Sequence, residues 1–435
     1  MPLLRRLRPL SSLLLVGLLA SVSAGAPLAR REVLPNGIRL LVAERPAIPI
    51  VIVRVSIRAG SAFDPPEAGG LANLTAELLT RGTAKRTGPE LDRAIESVGG
   101  SLETDAGRDT ATVSVGVLKK DLDLGLDLLA EVLLQPAFPE DELKRKVTDI
   151  QAAIRRSEEN PESVAGRELA RLLYPGHPYA RPTSGTIESV GTLTREQVVR
   201  FHRERYRPDA AAIAAVGDVK EAEIREALLR RLGGWTAPAT PLPVIPMTPP
   251  GPPVEARTIT RQLTQATVYL GRPAVRQDHP DYFPLLVANY ILGGGSASRL
   301  YTRVREEHGL AYAVYGSLLP GRYGAAYVVS LQTRVEAVSD AVKLAKEEMA
   351  RMGREPVAER ELALAKSYLI GSFPLRLDTS AKVAGLLIGI EENGLGLDYP
   401  DRFKREVAKV TAADVQRVAK QYLDPATFSS VMVGR

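Results

Sequence analysis

Two separated stretches of this chain repeat one pattern, and such a duplication demands a fold of paired, equivalent halves. Leu193 to Asp218 reads LTREQVVRFHRERYRPDAAAIAAVGD, and Val410 to Arg435 reads VTAADVQRVAKQYLDPATFSSVMVGR. Each opens with a threonine, Thr194 or Thr411, whose side-chain oxygen suits a helix N-cap. Each helix runs to Tyr206 or Tyr422, a proline-containing turn follows, and a short apolar strand ends at Gly217 or Gly434. Between the halves lies Thr236 to Arg257, TAPATPLPVIPMTPPGPPVEAR. Proline has no N–H to give to a helix or a ladder, so this segment is expected to be an extended, semi-rigid linker that permits a hinge. The chain divides into residues 31–235, a linker at 236–257, and residues 258–435.

The local patterns within each half name its elements. Arg31 to Glu44 reads as a hairpin turning at Asn36-Gly37. Ile50 to Ala59 alternates β-branched and polar residues as a strand does, and Leu102 to Thr104 with Thr110 to Val117 form a further pair. Helical spacing fills Lys120–Leu134, Glu140–Glu158 and Ser163–Leu173. The second half begins with a strand near Thr258 to Gly271 and a helix from Pro280 to Leu292. Strands at Ala311–Leu319 and Ala325–Thr333 follow, then helices to the end. The expected class is α+β: two homologous domains, each a mostly antiparallel sheet with helices packed on one side.

Composition narrows the functional classes. The chain has 435 residues, 45% hydrophobic and 25% charged, which suits two globular domains. The net charge of +6 includes Arg5, Arg6 and Arg8 at the extreme N-terminus, so a nucleic-acid footprint is not supported. Those arginines, the apolar run Leu13 to Ala20 and the small residues Val22-Ser23-Ala24 read as a signal peptide over residues 1–24. The expectation is an exported, periplasmic protein with no stable membrane span after removal of that segment. There is no cysteine, so neither disulfides nor thiol chemistry enters.

Two segments could carry chemistry. Gly69 to Thr83, GGLANLTAELLTRGT, has the outline of a metal-binding helix, but its candidate ligand positions hold Asn73, Ala76 and Glu77. Zinc needs three or four converging ligands, and one carboxylate cannot supply them. The histidines, His177, His202, His279 and His308, show no metal-ligand pairing; His177 and His279 read as loop residues and His202 as a helix-surface residue. The second segment is Gly293 to Ser317, GGGSASRLYTRVREEHGLAYAVYGS. It lacks a phosphate-loop fingerprint and reads as a turn, a helix over Ser298–Glu307, a left-handed cap at Gly309 and a strand from Ala311. That path can bring Arg305 near Tyr312. The pair is either a clamp for a carbonyl or oxyanion, or an arginine in a surface salt bridge beside a half-buried tyrosine.

With these segments the chain resembles the pitrilysin/insulinase-type peptidases, zinc enzymes with an inverted H-x-x-E-H motif. The resemblance spans essentially all of residues 31–435. It is borne by PNGIRLLV, RAGSAFDPPEAGGLANLTAELLTRGT, HPYARPTSGT, YRPDAAAIAAVGD, the Gly293–Ser317 segment and GSFPLRLDTSAKVAG. It implies two homologous α+β domains and action on peptides. The motif itself aligns with Asn73-Leu74-Thr75-Ala76-Glu77, so both histidines and the general base are replaced. QAAIRRSEENP puts Ala152 or Ala153 where the third ligand belongs. The resemblance therefore implies no metal in this chain, with zinc expected in a partner subunit bearing H-x-x-E-H. Arg305 and Tyr312 match the family's Arg/Tyr pair, which holds the substrate carbonyl and stabilises the oxyanion. Gly293, Gly294 and Gly295 are candidate substrate-binding positions. So are Ser101, Leu102 and Glu103, where the strand after Gly99-Gly100 could take an extended peptide along its edge. The implied function is the metal-free subunit of a heterodimeric zinc metallopeptidase. The alternatives are a non-enzymatic scaffold of the same fold, or a rebuilt metal site drawing on Glu77 and His177.

Overall fold

The computed structural model describes residues 27–248 and 251–434; the expected signal segment lies outside the described residues. Among the described residues eleven strands form two sheets. The first contains β1 (Arg30–Val33), β2 (Arg39–Glu44), β3 (Ile50–Ile57), β4 (Ser101–Ala106), β5 (Ala111–Leu118) and β6 (Ala211–Gly217), in the order β1-β2-β6-β3-β5-β4. The second contains β7 (Ala256–Ile259), β8 (Gln265–Ala274), β9 (Ala311–Leu319), β10 (Ala325–Arg334) and β11 (Ser429–Val433), in the order β7-β11-β8-β10-β9. Each sheet has one parallel pairing, β2 with β6 and β7 with β11; the remaining pairings are antiparallel. The repeat is therefore a repeat of topology: β6 and β11 hold equivalent places, as do the edge strands β4 and β9.

Short-range chemistry explains the elements. The hairpin turns at Gly37, whose φ of +93° lies in the left-handed region that glycine occupies freely. Alternate residues of β5 are buried, as the period-two pattern requires. Thr194 and Thr411 both cap their helices through capping boxes, with Gln197 and Asp414 reaching back. One expected strand is corrected: Thr258–Gly271 is two strands, because the chain leaves β7 after Ile259 and re-enters the sheet as β8 at Gln265.

The helices on one side of each sheet are joined by one on the other side, donated by the opposite half. The Pro161–Leu173 helix of the first half packs on β8 and β11, and Gly271 is bare of side chain where Leu169 presses against it. The Ser380–Glu392 helix of the second half packs on β3 and β6, setting Val383, Ala384, Leu387 and Ile388 against Leu41, Ala43, Ala212, Ala214 and Val216. Each buried Leu, Ile or Val there contributes about 1.5–3 kcal/mol of apolar transfer. β4 and β9 each lie at one edge of their sheet, with β1 and β7 at the other edges.

The linker is held against both halves by hydrogen bonds near its middle. His177 Nε2 meets the carbonyl of Pro246 at 2.9 Å, and the Thr248 amide donates to the Tyr323 carbonyl at 2.8 Å. The β9–β10 turn also reaches the first half: the Tyr179 hydroxyl bonds Asp109, the Tyr323 amide donates to the Tyr179 oxygen at 3.1 Å, and the Arg322 amide donates to Asp109 at 3.1 Å. Glu392, at the end of the donated helix, accepts from Ser56 of β3, and its burial pushes its carboxyl above the ordinary range.

Candidate functional site

The Leu71–Leu78 helix is built as a metal-binding helix would be, and its chemistry has been replaced. It starts at Gly70, whose φ is +93° and where an added Cβ would lie 2.7 Å from the Ser184 carbonyl oxygen. Asp64 caps it, accepting from the Gly70 amide at 2.9 Å and the Ala72 amide at 2.8 Å. Burial outweighs those bonds and pushes the Asp64 carboxyl up to about 7. On the face beyond, the Asn73 amide donates to Glu77 at 3.1 Å, and Lys146 of the Glu140–Glu159 helix stands 3.2 Å from the other Glu77 oxygen. Ala76 is fully buried. A dication has no place here, because the single carboxylate is bonded by an amide and neutralised by an ammonium. Among the described residues no group of three or more His, Cys, Asp or Glu side chains converges as a metal site.

His177 cannot join Glu77 in a rebuilt site. It is buried, its Nδ1 accepts from the Tyr179 amide at 3.1 Å, and its Nε2 is held by Pro246. His202 does not lie free on its helix surface. Its Nε2 meets the Leu133 carbonyl at 2.9 Å, its ring sits between Phe138 and Tyr206, and burial lowers its pKa to about 4.

The second segment brings Arg305 and Tyr312 together on two backbone irregularities. Tyr301–Glu307 is a π-helix, not a regular α-turn; Val304 is buried beneath it and its carbonyl accepts from the Leu310 amide at 2.9 Å. Single π turns recur at functional sites because the extra residue re-aims a side chain. Gly309, at φ +61°, then turns the chain into β9. There the register slips: Ala313 faces Gln332 and Ala311 faces Thr333, so Tyr312 is the extra residue of a β-bulge. The Arg305 guanidinium carbon lies 5.4 Å from the Tyr312 ring centre and 4.8 Å from that of Tyr301. Neighbouring arginines are committed, Arg299 to Glu361 at 2.7 Å and Arg303 to Glu307 at 2.8 Å, whereas among the described residues Arg305 makes no ion pair. Tyr312 is 68% exposed, so the expected alternative of a salt-bridged arginine beside a half-buried tyrosine is corrected on both counts. The N–H groups of half-buried Arg305 and the O–H of exposed Tyr312 lie together at the edge of a sheet, and such donors can meet a carbonyl oxygen or an oxyanion.

The other candidate positions separate. Ser101, Leu102 and Glu103 lie on β4, an edge strand with Ser101 and Glu103 exposed, and the Leu71–Leu78 helix packs against that strand. Gly294 is exposed and Gly295 half-buried at the mouth of the turn. Gly293 is needed for packing. It is buried, and a Cβ there would lie 2.2 Å from the Gly316 amide nitrogen. Sequence reasoning missed Lys146, which nothing local links to a glutamate 69 residues away. It also missed Tyr301, whose four-residue spacing from Arg305 was visible.

Two equivalent sheet-and-helix halves, a metal-motif helix without its ligands and an Arg/Tyr pair place the chain in the inverted-motif zinc peptidase class. Residues 39–187 match the family model described as insulinase (peptidase family M16), and residues 192–369 match the peptidase M16 inactive domain. The chain is 30% identical over 409 residues to an uncharacterized zinc protease of Mycobacterium leprae, covering 92% of this chain and 91% of that one. It is 24% identical over 424 residues to a non-peptidase homolog of Helicobacter pylori, covering 96% and 97%. A solved peptidase M16 inactive domain from Pseudomonas fluorescens superposes with a TM-score of 0.88 at 28% identity, covering 93% of this chain and 97% of that one. The chain belongs to the peptidase M16 family.

Proposed function

We propose that this chain is the metal-free subunit of a two-chain zinc metallopeptidase, lending Arg305 and Tyr312 to a homologous partner that carries H-x-x-E-H. The observation behind this reading is the contrast between two sites. Asn73 and Lys146 tie up the one carboxylate of the emptied motif. Arg305, half-buried, and Tyr312, exposed, are without charged partners among the described residues, the first on a π turn and the second on a bulge. In this reading the partner's metal activates water, while Arg305 and Tyr312 donate to the substrate carbonyl as negative charge grows on its oxygen. The exposed edge of β4 offers main-chain partners to an extended peptide. The complex works outside the cytoplasm, in keeping with the basic and apolar character of residues 5–20.

The test is to purify the tagged chain from its host, identify what accompanies it, and measure peptide hydrolysis by the complex with Arg305→Ala. A stoichiometric H-x-x-E-H chain and a drop of about 10²–10³ in kcat/KM support the reading. Unchanged turnover sinks it. The non-peptidase homolog of Helicobacter pylori favours one other reading, a scaffold that keeps the fold for assembly alone. Recovery alone, or with membrane components only, would support that alternative, and recovery from the cytoplasmic fraction would refute export.

A further inference from the structure

Arg305 has two aromatic neighbours, and the closer is not the one the Arg/Tyr pair includes. The Tyr301 ring centre lies 4.8 Å from the guanidinium carbon, against 5.4 Å for Tyr312. Tyr301 is itself supported, its ring 6.1 Å from that of Tyr315 on β9 and inclined by 35°. The guanidinium thus touches two rings, one rooted in the π-helix and one in the bulge, and a third ring backs the first.

We propose that Tyr301 is a positioning residue that holds Arg305 in its donating orientation; the inference rests on the reading that Arg305 serves a peptidase complex. An arginine on a helix surface samples many rotamers, and a substrate that must order it spends binding energy on doing so. A ring lying against the cation restricts that sampling before the substrate arrives, because the negative face of the π-system attracts the guanidinium. The planar guanidinium stacks on an aromatic face while its N–H groups, in the plane, stay free to donate. Only the ring is used, and the phenol oxygen of Tyr301 is not required. Phenylalanine at 301 should therefore serve, and an aliphatic residue of similar bulk should not. Tyr301 touches neither zinc nor the scissile bond in this arrangement; it acts through Arg305.

Two measurements test this, one independent of any partner. In the isolated chain with ¹⁵N-labelled arginine, the Nε–Hε resonance of Arg305, assigned by its loss in Arg305→Lys, should move in Tyr301→Leu and stay in Tyr301→Phe. An Arg305 resonance unmoved by Tyr301→Leu overturns the inference. In the reconstituted complex, Tyr301→Leu should lower kcat/KM by roughly tenfold. Tyr301→Phe should stay within about twofold, and Tyr301→Leu should add nothing to Arg305→Ala. A full additional loss in the Arg305→Ala background means that Tyr301 acts through the fold and refutes the assignment. If Arg305→Ala itself leaves turnover unchanged, the peptidase reading fails, while the resonance still decides whether Tyr301 orders Arg305.

Discussion

Lys146 and Glu77 meet at 3.2 Å across two helices, with the ammonium standing against the carboxylate that occupies the last position of the emptied zinc motif. Asn73, one turn earlier on the same helix face, bonds the other oxygen. The former metal position is thus closed by a local network of its own. The pair is about a quarter to a third exposed, so it contributes at most about 1 kcal/mol. Lys146→Ala should lower stability by less than that in urea unfolding. It should leave zinc well below one equivalent after dialysis, because freeing Glu77 still gives one ligand where three are needed. Stoichiometric zinc in the variant would show that the charge of Lys146, and not the missing ligands, keeps metal out.

The exposure of Tyr312 permits a clean separation of ring and hydroxyl. Its ring stacks near Arg305, and its hydroxyl is the second donor of the proposed clamp. In the reconstituted complex Tyr312→Phe should keep substrate affinity nearly unchanged and lower kcat by about 10²-fold, the usual effect of deleting one oxyanion donor. The thermal midpoint should not move, since a residue this exposed holds little of the fold together. A rise in KM at constant kcat would reassign the hydroxyl to ground-state binding.

Much of this architecture was legible because its signals are local. Thr194 and Thr411 announce their helices through side-chain oxygens that accept from the backbone amides three residues on. Gly37 and Gly309 mark turns that need a left-handed residue. The exchange of helices between halves was not legible. The stripe Val383, Ala384, Leu387 and Ile388 says that one helix face is buried, not which sheet buries it. At the site, the approach of Arg305 to Tyr312 follows from a helix, a glycine cap and a strand in sequence. The π turn and the bulge that aim the two side chains each depend on one extra residue, and pattern reading does not resolve one residue. The packing of Gly293 was hidden for a related reason: a glycine run looks the same whether it gives freedom or lets Gly316 come close.

The exchanged helices make a prediction about cooperativity. Leu387 is fully buried and belongs to the second half by sequence but to the first sheet by contact. Leu387→Ala should cost about 2–5 kcal/mol. It should weaken amide-exchange protection in β3 and β6 as well as in the Ser380–Glu392 helix, with one calorimetric transition shifted to lower temperature. Loss of protection confined to residues 258–434 would mean that the halves unfold independently despite the exchange.

Asp64 and His202 should pull the pH dependence of stability in opposite directions over one window. Burial raises the Asp64 carboxyl from 3.8 to about 7, so between those values the folded chain holds a proton that the unfolded chain releases. Stability from this group therefore falls as pH rises from about 4 to 7. Burial lowers His202 from 6.5 to about 4, so in that window the unfolded chain holds the extra proton, and stability falls as pH drops. Each effect is on the order of 2–4 kcal/mol across the window, and in the wild type they oppose one another. Asp64→Asn retains an oxygen acceptor for the helix amides while removing the titration, so its urea midpoints should climb from pH 4 to 7 more steeply than those of the wild type. His202→Gln can still donate to Leu133 but cannot take up the buried proton, so its midpoints should tilt the other way. Curves for both variants that run parallel to the wild type would show that neither group changes its proton affinity on folding.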